Sequence, residues 1–340
     1  MDPSPGSSGF FLFRNTAVFL DPMVNRWILL LVLAVLTTAN IVLYQYREQF
    51  HYQPYAGYET LYGPCGADCE NKWKRFTRVY DPAEFDSARK VLREKFHFTT
   101  STTAEEKILS ISGMVLELFT KHHGLPSPAF QRQSPMRQYN DLCLRDRGNL
   151  WCGNAAQIFS FFCFAEGILS RNIEIRNPGD HHVVTECYLP SRKQWVLLDV
   201  PHSLMMVKDS MGQLLNLQTF RAALARHQKI WARQPADSSF QWKPLNMEEM
   251  YYKHFYMGSY PYYYYYEVSD ATVYSFSNKL LRYFFPSPWY EIYDENPRSN
   301  FKFYLRQIAL GLWILVAILI TWHFTQRRKG DKNLRVQTSE

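Results

Sequence analysis

An α+β fold, with a cysteine-bearing helix packed on an antiparallel sheet and a membrane-crossing helix on either side, is the architecture the sequence predicts. Three observations predict it. In the middle of the 340-residue chain, segments of helical period come first and segments of alternating period follow, an order that argues against a wound parallel sheet. The last two alternating segments are joined by only four residues, the length of a hairpin connector. Near each end lies an apolar stretch of bilayer length.

The ends assign the compartment. Residues 27–44, WILLLVLAVLTTANIVLY, carry no charge, and residues 308–325, IALGLWILVAILITWHFT, repeat the pattern. Both approach the ~20 apolar residues of a spanning helix, with Trp27, Tyr44, Trp322 and Phe324 near their ends, as at a headgroup layer. The first exceeds the ~7 to 15 residues of a signal-peptide core, so an uncleaved anchor is expected. Arg327, Arg328, Lys329, Lys332 and Arg335 follow the second, which assigns both termini to the cytoplasm.

The chain then divides into a cytoplasmic tail (1–26), a first spanning helix (27–46) and a stalk with an N-terminal helical region (47–103). A core (104–203), an aromatic-rich extension (204–306), a second spanning helix (307–326) and a basic tail (327–340) complete it. The expected location is a bacterial inner membrane crossed twice, with the working domain facing the periplasm or exterior. The membrane, and a membrane or cell-envelope assembly, are the expected partners beside a substrate.

Formal charge is +7, but of 38 basic and 31 acidic residues, 31 and 27 lie between residues 47 and 306. So small a surplus makes no polyanion-binding surface, and no nucleic-acid partner is expected. Six cysteines are few for a disulfide scaffold yet allow a bridge in an oxidising space. Cys65 and Cys69, in YGPCGADCENKW, are the natural pair, ahead of two free thiols and of a metal site.

Pro82 to His97 has charged and apolar residues at helical intervals. A firmer helix opens on Thr103 and Glu106, a capping box, with Ile108, Ile111, Val115, Leu118 and Phe119 on one face and a stop near Gly124. Residues 125–148, with Pro126, Pro128 and Pro135, read as a loop. A second helix runs from Cys152 to Ala165, ended by Gly167, with Ala155, Ala156, Phe159, Phe162 and Cys163 facing inward. Alternation then marks strands at RNIEIR, HVVTECYL and QWVLLD.

Parity decides which side chains meet. His182, Val184, Glu186 and Tyr188 share one strand face, and His181 points to the other. A symmetric connector pairs Leu189 with Gln194, which sets Val184 opposite Asp199 and makes His182 the diagonal neighbour of Asp199. That gap of about 7 to 8 Å between backbones is within reach of an imidazole meeting a carboxylate.

Cys152 therefore has partners. Amide dipoles at a helix start favour a thiolate, a histidine holds the proton, and a carboxylate fixes the histidine's tautomer. Cys152, His182 and Asp199 form a nucleophile, base and orienter in that order. The backbone N–H of Cys152 is the expected oxyanion donor.

The stretches GNLWCGNAAQIFSFFCFAEGILSRNIEI, HVVTECYL and QWVLLDVPHS resemble the transglutaminase-like superfamily of papain-related cysteine enzymes. In that family a cysteine opens a helix, a Gly-Ile-x-Ala-Arg segment follows, one strand carries His-x-Trp-x-Glu and the next ends in Trp-x-x-Leu-Asp. The resemblance covers residues 104–203. It aligns Cys152 with the nucleophile, His182 with the base, Asp199 with the third member, Glu186 with the strand acid, and Gly167, Ile168 and Arg171 with the post-helix motif. Val184 stands where the family has tryptophan, and Leu150 where it has glycine, with Gly148 upstream.

The resemblance implies a transglutaminase-like core, thiol attack on a protein or peptide amide, and resolution of the thioester by water or an amine. The enzyme would be a protease, deamidase or transamidase that needs no cofactor and no metal. The alternative is a non-catalytic scaffold or binding module in a cell-envelope or polysaccharide assembly. A metal hydrolase ranks below both, because adjacent His181 and His182 point to opposite faces of a strand.

Residues 251–276, YYKHFYMGSYPYYYYYEVSDATVYSF, allow a sugar-stacking platform. A strand packed on both faces, or a stretch at a membrane interface, is the favoured expectation.

Overall fold

The computed structural model describes residues 22–45, 55–65, 80–177, 179–236, 239–246, 249–258, 262–265, 290–294 and 301–337. The chain forms two units, one of residues 51–303 and one of the two ends, 1–50 and 304–340.

Two long helices belong to the ends, α1 (Pro22–Gln45) and α10 (Phe301–Gln337). Trp27, Leu31 and Val35 of α1, and Ile308, Ile314, Ile318 and Trp322 of α10, are exposed. The expectation of two membrane-crossing helices is nevertheless corrected: among the described residues, no helix is long and apolar enough to cross a membrane. The tail up to residue 21 lies outside the described residues.

In the central unit, helices come first. They are α2 (Tyr58–Tyr62), α3 (Pro82–Phe96), α4 (Ala104–His122), α5 (Pro128–Gln131), α6 (Pro135–Arg145) and α7 (Cys152–Ala165). The capping box at Thr103 and Glu106 is present on α4. The expected loop at 125–148 instead holds α5 and α6. Ser127 and Ser134 cap them, and Pro128 and Pro135 take the first helical position, where a missing N–H costs nothing.

Every residue of α7 except Gly153 is buried, so it is a central helix rather than one with a single inward face. Phe159, Phe161 and Phe162 have no exposure, each worth about 1.5–3 kcal/mol of burial. Asn172 accepts from Ser160 of α7 and from Thr185 of the sheet, both at 2.8 Å, which ties helix to sheet.

The main sheet is antiparallel, in the order β3-β2-β1-β7-β8. Its strands are β1 (Ser170–Asn177), β2 (Asp180–Leu189), β3 (Gln194–Leu198), β7 (Tyr262–Tyr265) and β8 (Tyr290–Tyr293). The hairpin register is the one parity predicts, Leu189 opposite Gln194 and Thr185 opposite Leu198. The sheet is completed by two strands from the aromatic extension. Tyr262 and Tyr264 are buried, while Tyr263 stacks under the Arg176 guanidinium at 4.2 Å, so β7 is packed on both faces. Tyr266 and the rest of that run to residue 276 lie outside the described residues.

Between β3 and β7 the chain adds a second sheet of β4 (Val207–Asp209), β5 (Ile230–Ala236) and β6 (Ser239–Pro244), with α8 (Leu217–Ala225) and α9 (Met250–Tyr256). Cys65 is disulfide-bonded. Its expected partner, Cys69, lies outside the described residues.

Candidate active site

Three local features set Cys152 at the first turn of α7. The chain enters the helix through Leu150, whose N–H donates to His122 at 2.7 Å and whose carbonyl accepts from Gly124 at 3.1 Å. Gly148 makes that entry at φ +102°, and a Cβ there would meet Phe130 at 2.5 Å. Trp151 then occupies the cap position and offers no side-chain cap bond to the first-turn N–H groups. A Cβ at Gly153 would meet Val183 at 3.8 Å, which places the helix start against β2 beside His182.

His182 and Asp199 meet as parity predicts. His182 Nε2 lies 3.0 Å from Asp199 Oδ2, and both residues are buried. His181 is exposed on the opposite face. Cys152 lies close enough to the His182 ring to contribute to its electrostatics. The three predicted residues are thus brought together around the His182 ring.

Three further side chains surround the carboxylate. Tyr256 donates to Asp199 Oδ2 at 2.7 Å, and Tyr251 donates to the same oxygen while lying 2.7 Å from His182 Nε2. His202 Nδ1 sits 3.2 Å from Asp199 Oδ1, and its ring stacks on Tyr251 at 3.6 Å. Sequence alone does not assign these three residues to the site. His202 follows Asp199 by three residues in DVPH, a spacing that a short helical turn brings back to the carboxylate. Tyr251 and Tyr256 carried no comparable signal, since they lie on a seven-residue helix in a section dense with aromatics.

The electrostatics follow from burial and charge together. Burial alone would lower the His182 pKa, but the charge and hydrogen bond of Asp199, with smaller contributions from Cys152, raise it from 6.5 to about 10. Burial would raise Asp199, yet the neighbouring His182 and His202 hold it well below the usual carboxylate range. The dyad is an imidazolium–carboxylate pair at neutral pH. Burial, and then the Asp199 charge, push Tyr251 and Tyr256 well above the ordinary phenol range, so both remain donors.

Glu186 and Arg171 lie opposite each other on β2 and β1 and form a pair without solvent. Arg171 donates to Glu186 Oε2 from Nε at 2.9 Å and Nη2 at 2.6 Å, and Trp195 covers the guanidinium at 4.0 Å. Glu186 Oε1 accepts from the Leu217 N–H at the start of α8, at 2.7 Å. This pair is a structural joint, separate from the dyad.

The other free thiols are placed differently. Cys163 is fully buried beside Cys187, and burial pushes its thiol well up, while Cys143 is exposed. Among the described free thiols, Cys152 is the one at a helix start beside the His182 imidazole. The arrangement can hold a thiol's proton on nitrogen and stabilise the resulting cation through a carboxylate.

Comparison with protein-family models, with curated proteins and with solved structures gave no match.

Proposed function

We propose that the protein is a transglutaminase-like cysteine enzyme that acts on a protein or peptide amide. The observation that carries this reading is the meeting at the His182 ring of Asp199, 3.0 Å from Nε2, and Cys152, which acts on the same imidazole. The Cys152 sulfur attacks the amide carbonyl carbon, and His182 carries the thiol proton. The carbonyl oxygen takes the electron pair and is received by the uncapped amides at the start of α7. The C–N bond then breaks, the nitrogen leaves with the proton from His182, and a thioester remains on Cys152. Water or an amine, deprotonated by His182, attacks the thioester and frees the thiol. Asp199 fixes the ring orientation and offsets the imidazolium charge throughout. A disulfide at Cys65 supports an oxidising, extracytoplasmic setting.

A non-catalytic scaffold is the second reading, favoured by the burial of Cys152, His182 and Asp199, which leaves a substrate little direct access. Glutamine- and asparagine-bearing peptides, offered with a biotinylated primary amine, separate the two. The enzyme reading expects ammonia release or amine incorporation, with an acyl adduct on Cys152, and loss of both in Cys152→Ala. If wild type never exceeds the Cys152→Ala background across a broad peptide library, the scaffold reading replaces it.

A further inference from the structure

The Nε2 side of His182 offers more than an orienting carboxylate. His182, Asp199 and His202 each present one ligand atom, and these atoms lie within 4.8 Å of one another. The two imidazole-to-carboxylate separations are 3.0 and 3.2 Å. Four tetrahedral ligands at 2.0–2.1 Å from a zinc ion stand ~3.3 Å apart, so the two contacts, made to Oδ2 and Oδ1, have the right length, and the two imidazoles, with ligand atoms within 4.8 Å, have to draw together around one ion. The Tyr251 oxygen, 2.7 Å from the same Nε2, is a fourth donor within reach.

Two imidazoles and one carboxylate suit a divalent transition ion and not calcium or magnesium, which favour shells of oxygen. Access is built in. Asp199 has no exposure and His182 almost none, but the His202 side chain is 39% exposed and forms the solvent edge of the cluster.

We propose that His182, Asp199 and His202 bind a divalent transition-metal ion of the zinc class, and that the bound ion holds Cys152 inactive. The regulatory half rests on the functional reading above; the binding half does not. An ion on Nε2 takes the position of the proton shared with Asp199, which is released to solvent, and draws the carboxylate's charge to itself. The His182 ring, bound to the ion through Nε2, keeps its Nδ1 proton, so it neither gives a proton to the leaving nitrogen nor takes one from water or an amine.

Equilibrium dialysis of the full chain against zinc chloride tests the site. One ion per chain is expected in wild type and in Cys152→Ala, with affinity at least tenfold weaker in His202→Ala. His202→Gln gives the same comparison should the alanine variant fold poorly. Absence of zinc retention in wild type overturns the proposal. So does loss of the ion in Cys152→Ala with retention in both His202 variants, which would put it on the thiol. Amine incorporation into the glutamine- and asparagine-bearing peptides, with and without zinc, tests the regulation: its rate is expected to fall over the concentration range in which the ion binds, and an unchanged rate overturns the control. If zinc binds through His202 while zinc-free iodoacetamide labelling of Cys152 does not depend on His182, the site stands, and both the control of catalysis and the functional reading fall.

Discussion

Tyr256 donates a 2.7 Å hydrogen bond to Oδ2 of Asp199, a carboxylate with no solvent exposure. This contact joins the last turn of α9 to the strand end that carries the third member of the proposed triad. A charged group taken out of water needs every acceptor position filled, and Asp199 is supplied by Tyr251, Tyr256, His182 and His202.

Tyr256→Phe removes one donor without changing the ring packing. The expected cost is about 1.5–3 kcal/mol of stability, the range for a hydrogen bond to a buried charge. Urea denaturation of the variant checks it, and a change under about 0.5 kcal/mol would mean that water replaces the phenol.

The buried joint predicts an asymmetry. Glu186→Gln leaves the Arg171 guanidinium without its counter-charge inside the protein and is expected to cost about 3–5 kcal/mol. Replacing both members together, as Arg171→Met with Glu186→Leu, is expected to cost much less than that single change. Melting temperatures of the single and double variants decide it.

Stability should depend on pH through the dyad. His182 has a folded pKa of about 10 against an ordinary 6.5, so its contribution is complete below 6.5 and is lost as pH rises through about 10. Asp199 is depressed, so its contribution is present above 3.8 and is lost as pH falls through its lower folded value. Wild type is therefore expected to lose stability from about pH 7 to 10, and the slope is expected to flatten in His182→Gln. Equal slopes in the two proteins would show that the pair is not charged.

Gly148→Ala introduces a methyl that would sit 2.5 Å from the Phe130 ring, at a backbone angle only glycine adopts readily. A loss of roughly 1–3 kcal/mol is expected from strain alone, read by thermal unfolding.

Much of this site was legible because strand parity is strict. One hairpin register determines that His182 and Asp199 share a face, and the register followed from a four-residue connector. The start of α7 was legible from Gly148 upstream and the small residues after Cys152. The helices after Pro128 and Pro135 were not, because prolines usually read as breakers; the preceding serines, as caps, were the missed signal. The strand from Tyr262 was foreseen only as one option, since five tyrosines in a row give no period. Tyr251 and Tyr256 reach Asp199 only through tertiary packing, whereas His202 returns to it by the short turn of DVPH. The two apolar end stretches predicted crossing helices from hydropathy alone, and among the described residues no helix is long and apolar enough to cross a membrane.

The central claim is that Cys152 and His182 work as a pair, and iodoacetamide labelling at neutral pH tests it most directly. Wild type, Cys152→Ala and His182→Ala are compared by peptide mass spectrometry, with exposed Cys143 as the internal reference. The account predicts a fast-reacting Cys152 whose rate falls at least tenfold in His182→Ala while Cys143 is unchanged. An equal Cys152 rate with and without His182 would contradict it.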